Sequence, residues 1–364
     1  MILSRYMARR YLTSFLGVLA VMAGIILLLD MVEQLRRFGG DGIGLAEALR
    51  LAALRMPSSV YAVLPLVAIL ATLAMFVALA RSSELVVARA VGRSALHVVA
   101  APALVALLLG GVAVAVLNPL VAATARQYDA SVARLGGAEV TLLSIGRDGL
   151  WLRDGTAEGQ RVIRATHGSA DGIELFDVSI LGFGADNAPN LRVDAASARL
   201  QPGAWELRRA TEWDLTAPNP GAAARGHATL TLPTELTPAA LRDSFAPPAT
   251  IPIWELPRFI ATLDRAGFSA LEHRVWLQME LALPVMLMAM VLVGAGFTMG
   301  HIRAGRQGVM VLAALIAGFG AFFLRDFAQV LGENGQIPVT LAAWSPPAVA
   351  ALMALALILQ LEEG

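Results

Sequence analysis

Six long apolar runs divide the chain, and they fall into two groups of three. Residues 11–29, 56–80 and 95–117 make the first group; 275–299, 307–331 and 343–361 make the second. Each is long enough, as helix rising ~1.5 Å per residue, to cross a hydrocarbon core of ~30 Å. The first run is too long for the apolar core of a signal peptide. No small-x-small cleavage site precedes its Asp30-Met-Val-Glu33 exit, so it predicts a transmembrane helix. A polar stretch, 33–42, and a short amphipathic segment, 45–55, follow it. Pro57 and Pro65 predict a kinked second span.

Between the two groups the pattern changes. Short stretches rich in Val, Ile, Leu, Phe, Trp and Thr recur about every ten residues: 149–153, 161–165, 173–183, 191–200, 204–215 and 228–232. Turn-forming clusters separate them, among them Asp154-Gly155, Asp171-Gly172, Asp186-Asn187, Gln201-Pro-Gly203 and Pro218-Asn-Pro-Gly221. This spacing predicts an antiparallel sandwich or jelly roll. Residues 247–257 read as a linker. Residues 256–266 and 270–281 read as amphipathic helices leading back to the membrane, with Gly267 as the stop between them. The expected architecture is α-helical, six transmembrane helices (3+3) with an inserted all-β, jellyroll-like domain. Its parts are 1–117 (three spans), 118–274 (β domain and return helix) and 275–364 (three spans).

Composition agrees: 57% of the 364 residues are hydrophobic and only 15% charged, well below the quarter usual in soluble domains, and the mean hydropathy is +0.65. The net charge is zero, which points away from nucleic acid. The chain has no cysteine, which excludes disulfides, thiolate catalysis and Cys-ligated metals. All 28 basic residues are arginine. A P-loop needs a lysine on the phosphates, so any ATP that drives this protein is hydrolysed by another polypeptide.

Six spans put both termini on one side. The segments on that side hold Arg5, Arg9, Arg10, Arg81, Arg89, Arg93, Arg303 and Arg306. The short opposite loops hold Arg36, Arg37, Arg50 and Arg55. The positive-inside trend therefore predicts cytoplasmic termini and a β domain on the outer side.

The sequence offers little chemistry for an enzyme. The five histidines show no HExxH spacing, there is no GxSxG elbow, and no catalytic or metal-ligating set emerges. Asp30, Glu280, Arg325 and Asp326 fall near the outer ends of their runs, where charges reach the interface. Arg325 and Asp326, being adjacent, are expected not to face each other. Phe and Gly residues at 318–323 suit a lipid-facing cleft or ordinary close helix packing. Arg36-Arg37 suits bidentate capture of an anionic lipid headgroup; a solvated turn paired with Glu33 is the alternative. Arg126 would extend such a basic rim.

A charged segment, 81–97, separates the second and third runs. Ser82 or Ser83 can cap a helix with Glu84 in its first turn, and Gly92 can stop it. Its mixed polarity suits an interfacial docking helix over about 82–93.

These residues resemble the lipopolysaccharide-export permeases of the LptF/LptG type, and the LptG-like branch more closely. Leu3-Ser-Arg-Tyr-Met-Ala-Arg-Arg10 is similar to that family's L-x-R-Y start, and 30–37 to its acidic-then-basic exit from the first span. Arg81-Ser-Ser-Glu-Leu-Val-Val-Ala-Arg-Ala-Val-Gly92 resembles its R-S-E-L-V-V-x-x-A-x-G signature, with one extra residue between Arg81 and Glu84. Gly149-Leu-Trp-Leu-Arg-Asp154 resembles the G-L-W-x-x-D strand of the LptG-like branch. Residues 335–338 and 343–346 are similar to the family's last loop and final span.

The resemblance implies a multi-pass inner-membrane ABC transporter permease with a periplasmic jellyroll. It implies an LptF-like sister permease, a cytoplasmic LptB-like ATPase dimer that hydrolyses the ATP, LptC-like and LptA-like bridge proteins, and lipopolysaccharide as cargo. By the same resemblance Glu84, Leu85, Arg89 and Gly92 belong to the ATPase-coupling element. By that resemblance Arg36 and Arg37 correspond to basic residues near the lipid's phosphates, and Arg126, from its position alone, joins them as a candidate phosphate-binding residue. Asp30 departs from a position where LptG-like proteins carry a basic residue. A membrane-anchored sensor or envelope-assembly scaffold with a periplasmic β domain is the alternative class. It would ordinarily add a signalling domain, whereas only Glu362-Glu-Gly364 follows the last run.

Overall fold

The computed structural model describes residues 2–38, 44–82, 84, 94–135, 150–156, 159–169, 173–184, 188–234, 247–265, 269–299 and 307–363. Six helices among them are long and apolar enough to cross a membrane. In chain order the helices are α1 (Ile2–Phe38), α2 (Leu45–Ala62), α3 (Leu64–Arg81), α4 (Ala95–Val112), α5 (Asn118–Leu135), α6 (Leu256–Arg265), α7 (Leu271–Thr298), α8 (Gln307–Glu333) and α9 (Val339–Glu363). The chain divides into two compact units. One is helical (1–135, 248–257 and 271–364) and the other contains the β sheet (136–247 and 258–270).

In the helical unit the elements outrun the apolar runs that announce them. Helix α1 has 37 residues, roughly 55 Å at 1.5 Å per residue, so Arg5 near one end and Arg36-Arg37 at the other project beyond a ~30 Å core. The expected polar exit after residue 29 is helix as far as Phe38. The kink expected in the second span becomes a full break: Pro57 lies inside α2, and Pro65 opens α3. Proline has no N–H to continue the ladder and suits a helix's first turn. The helix therefore restarts at Leu64, with Val67 N–H donating to the Val63 carbonyl at 3.0 Å.

Helix α4 begins where its run begins. Ser94 caps it, its hydroxyl accepting from His97 N–H at 3.3 Å. At its other end Ala113–Leu117 widens into one π-type turn and the chain continues as α5. The boundary expected between 117 and 118 falls inside this helical path, and the compact units part after Leu135. Residues 270–281, expected as a separate amphipathic helix, are the start of α7.

Helix α7 is the centre of this unit: it packs against α3, α4, α8 and α9 and is buried on most of its surface, the pattern of a helix apolar on every side. Its tightest seat is at Gly110 of α4, where a Cβ would lie 2.4 Å from Pro284 Cα. On α8, Gly318 makes the same kind of room for the Ile69 side chain. Helix α1 packs on α2, α3 and α4, and α2 also packs on α5.

In the other unit six strands form one antiparallel sheet in sequence order: β1 (Leu150–Thr156), β2 (Gly159–Gly168), β3 (Glu174–Phe183), β4 (Pro189–Gln201), β5 (Ala204–Asp214) and β6 (Arg225–Pro233). All six expected strands are present. Among the described residues they join as successive hairpins, without jelly-roll crossovers. Asp154-Gly155, expected as a turn, lies within β1, and Asp154 is buried.

The sheet nevertheless makes two layers, because it is creased. Ladder pairing skips Thr166 opposite Asp177, Asp177 opposite Ala196, Ala196 opposite Arg209, and Arg209 opposite Ala228. One extra residue on each of five neighbouring strands thus lines up across the sheet. The inward set shifts by one at the same line: Leu175 then Val178 and Ile180, Val193 and Ala195 then Ala198 and Leu200, Trp205 and Leu207 then Ala210. A strand running straight would turn half of these residues outward; the added residue keeps them all in one core. Asp177 and Arg209 take φ of 49° and 50° there, a left-handed conformation that costs a non-glycine residue about 1–2 kcal/mol. The folded sheet brings β6 back to β2, where Arg161 donates to the Pro233 carbonyl at 2.6 Å.

Gly110→Val should force α4 from α7 and lower the unfolding temperature of the detergent-solubilised protein, at a cost of about 1–3 kcal/mol. Gly111→Val, with nothing within 4 Å of its Cβ, should leave it unchanged. Arg209→Val should cost about 1–2 kcal/mol, because a β-branched residue tolerates positive φ poorly. Arg208→Val should be nearly neutral by the same measurement.

Candidate functional site

The residues singled out from the sequence lie toward the two ends of α1. At its start, Tyr6 Oη donates to Glu84 Oε2 at 2.6 Å, and Ser82 Oγ donates to Glu84 Oε1 at 2.8 Å. The Tyr6 hydroxyl first, and then Ser82, hold the Glu84 carboxyl below the usual carboxylate range. Leu85, Arg89 and Gly92, with the rest of 85–93, lie outside the described residues.

At the other end Arg36 and Arg37 occupy the last turn of α1, where positive charge also suits the helix dipole. Arg36 pairs with Glu33 one turn back at 2.9 Å, the pairing anticipated for the solvated alternative, and its side chain remains largely exposed. Such an exposed pair is worth only about 0.3–0.5 kcal/mol and gives way easily to a better anion. The Arg37 guanidinium stands 5.2 Å from the centre of the Phe38 ring. Gln34, fully buried, exchanges hydrogen bonds with the Tyr128 hydroxyl of α5 at 3.2 and 3.3 Å. That contact brings the ends of α1 and α5 together. Arg126 is exposed and stands two positions before Tyr128, roughly 200° around the helix, so it points from a different face of α5.

Asp30 is not left to repel an anion. Ser59 Oγ donates to its Oδ2 at 3.1 Å, and Arg55 Nε lies 3.9 Å from its Oδ1. Both partners come from α2, so this carboxylate is held within the α1–α2 contact. Between the two ends α1 is only partly covered: Val18, Leu19, Met22, Ala23, Ile26 and Leu27 form a half-buried stripe at helical spacing.

A third constellation corrects the expectation for Glu280. Its side chain does not reach an interface; it is buried at 1% exposure. Tyr61 of α2 donates to its Oε2. Arg325 of α8 stands close enough for its charge to act on both groups. Arg325 also reaches its neighbour Asp326, Nη1 to Oδ1 at 3.4 Å, contrary to the expectation from adjacency: the long guanidinium arm bends round the helix. Asn118 Oδ1 accepts from Ile253 N–H at 2.9 Å, and Trp254 Nε1 donates at 3.2 Å to the Ala115 carbonyl in the π-type turn. The segment 248–257, expected as a linker, is therefore docked, with Pro248, Thr250, Ile251 and Ile253 buried. A carboxylate within the apolar run 275–299 was the available signal for this cluster.

Tyr61→Phe should cost about 1–3 kcal/mol, because it leaves a buried carboxyl group short of a donor. Glu280→Gln, which keeps an acceptor oxygen, should cost less. Thermal unfolding in detergent compares the two.

The chain is 28% identical over 359 residues to the lipopolysaccharide export system permease protein LptG of Escherichia coli K12, covering 97% of this chain and 94% of that protein. It is 25% identical over 341 residues to the protein of the same description from Haemophilus influenzae, covering 92% of this chain and 91% of that protein. Residues 5–360 match the model of the family described as lipopolysaccharide export system permease LptF/LptG. That match takes in both groups of spans, the inserted β sheet and each of the constellations above, and the chain belongs to the LptF/LptG family of lipopolysaccharide export permeases, as an LptG-like member.

Proposed function

We propose that this chain is the subunit of an inner-membrane ABC transporter that extracts lipopolysaccharide and passes it outward, with the work supplied by a separate ATPase. The family match over 5–360 carries this reading. The absence of lysine makes a separate ATPase necessary, since a P-loop cannot form without one. Both termini and the 82–93 segment face the cytoplasm, following the arginine asymmetry, and the β domain is periplasmic. An LptF-like sister permease completes the membrane assembly. An LptB-like ATPase dimer docks on the coupling helices, here through Glu84, Leu85, Arg89 and Gly92. LptC-like and LptA-like proteins receive the lipid beyond the β domain.

In this reading Arg36 and Arg37 contact the lipid's phosphates. Both are exposed, and among the described residues Arg36 is held only by Glu33. A phosphate that takes two parallel N–H donors displaces an exposed carboxylate readily. Arg126, on another face of α5, contributes charge to the same end of the bundle. Asp30, engaged by Ser59 and Arg55, is offset and does not oppose the headgroup.

Glu84→Arg is expected to abolish copurification of the ATPase while the membrane unit stays folded; undiminished copurification would sink the coupling assignment. Depleting the protein should strand newly made lipopolysaccharide in the inner membrane, and normal delivery to the cell surface would rule out the export reading. Arg36→Glu with Arg37→Glu should lower photo-crosslinking of lipopolysaccharide to α1 by roughly tenfold or more, as expected when two charge-assisted contacts are lost.

A further inference from the structure

We propose that the Tyr6 hydroxyl is the joint through which Glu84 moves α1, making Tyr6 a positioning residue for transport rather than part of the ATPase contact. This inference rests on the export reading above.

The geometry is specific. Glu84 has two carboxylate oxygens, and each is held by a different hydroxyl: Oε1 by Ser82 at the end of α3, Oε2 by Tyr6 in the second turn of α1. At 2.6 Å the Tyr6 contact has the length of a charge-assisted O–H···O⁻ bond. It links positions 78 residues apart in the chain. The Ser82 hydroxyl also lies 3.2 and 3.3 Å from the Ala78 and Leu79 carbonyls, so its single proton is shared among acceptors. Tyr6 is therefore the more committed donor. Arg10, one turn further along the same helix, adds positive charge near Glu84. Packing does not hold the Tyr6 ring in place, because Tyr6 is 41% exposed; the hydroxyl is what engages.

Helix α1 is built to carry a push from that point. It contains no proline, whereas α2, α4, α7 and α9 each contain at least one. It is seated by Met7, Tyr11 and Phe15 near its start, and again by Gln34 and Phe38 at its end, with no buried residue between Phe15 and Gln34. An unbroken helix whose fully buried residues lie toward its ends, with a half-covered middle, shifts as a rod. Displacing Glu84 then draws on α1 directly, and the far end of α1 carries Arg36 and Arg37.

The test uses the complete transporter, with this chain, its sister permease and the ATPase, in proteoliposomes loaded with lipopolysaccharide. ATP hydrolysis and lipid release are followed together. Tyr6→Phe removes one oxygen and leaves the ring. The expected result is uncoupling: the ATPase still copurifies, hydrolysis continues, and lipid released per ATP falls roughly threefold or more. In a Glu84→Ala background, normalised to transporter that retains its ATPase, adding Tyr6→Phe should lower the ratio no further, because the partner is already gone.

An unchanged ratio in Tyr6→Phe would overturn the inference, as would an additive loss in the double variant. Loss of ATPase copurification in Tyr6→Phe would also overturn it, by making Tyr6 a docking residue. Those results leave the export reading standing. Undiminished copurification with Glu84→Arg strikes at the coupling assignment itself, so the two failures are distinguishable.

Discussion

The helical unit is arranged around one buried carboxyl group. Hydrocarbon offers no water to a polar atom, so every hydrogen bond Glu280 makes has to come from the protein. Tyr61 donates to it, and the charge of Arg325 acts on it. These residues come from α2 and α8, so satisfying one side chain relates both elements to α7. The irregular turn at Ala113–Leu117 is part of the same arrangement. Widening the helix there loosens a carbonyl from its usual donor, and the Trp254 indole meets the Ala115 carbonyl. Asn118, just after that turn, takes Ile253 N–H on its side-chain oxygen. The returning chain at 248–257 is pinned to the bundle by the Ala115 carbonyl of the turn and by Asn118.

The six spans were legible because the demand that defines them is coarse: about twenty apolar residues and no free backbone polar groups. Their ends were not, since a helix does not stop where the hydrocarbon does. Glu33 to Phe38 read as a polar exit, yet they continue α1. The β domain was expected to begin at 118, yet Pro119 is tolerated in a helix's first turn, and the helical path runs on to Leu135. The depth of Glu280 was readable only along the helix axis. Which face it occupied depended on Tyr61, a residue 219 positions away in the chain.

The strands were legible from alternation, and the crease was present in the sequence as a repeated stumble in that alternation. Apolar positions at Leu175, Val178 and Ile180 are spaced by three and then two. Val193, Ala195, Ala198 and Leu200 run two, three, two. Within one strand such a slip looks like an ordinary irregularity. It acquires meaning only when hairpin register sets Asp177, Ala196, Arg209 and Ala228 side by side, and register is a property of pairs. Of the candidate site, the arginine pair and Glu84 were visible as charges at run ends. The hydroxyl that engages Glu84 was hidden in an aromatic residue of the first basic segment, Tyr6.

The contrast between α7 and α1 separates what holds from what moves. Helix α7 is buried on most of its surface and locked where Gly110 lets α4 close on Pro284; moving it would disturb packing on all sides, and dense interiors resist small shifts. Helix α1 has fully buried residues only toward its two ends, where Tyr6 and Arg10 stand at one and Arg36 and Arg37 at the other. Its middle stripe is half-covered, so a shift there breaks few contacts. In the proposed coupling, a displacement at Glu84 meets less resistance along α1 than along α7. On that proposal the displacement follows a loosely packed, proline-free helix that ends at the arginines.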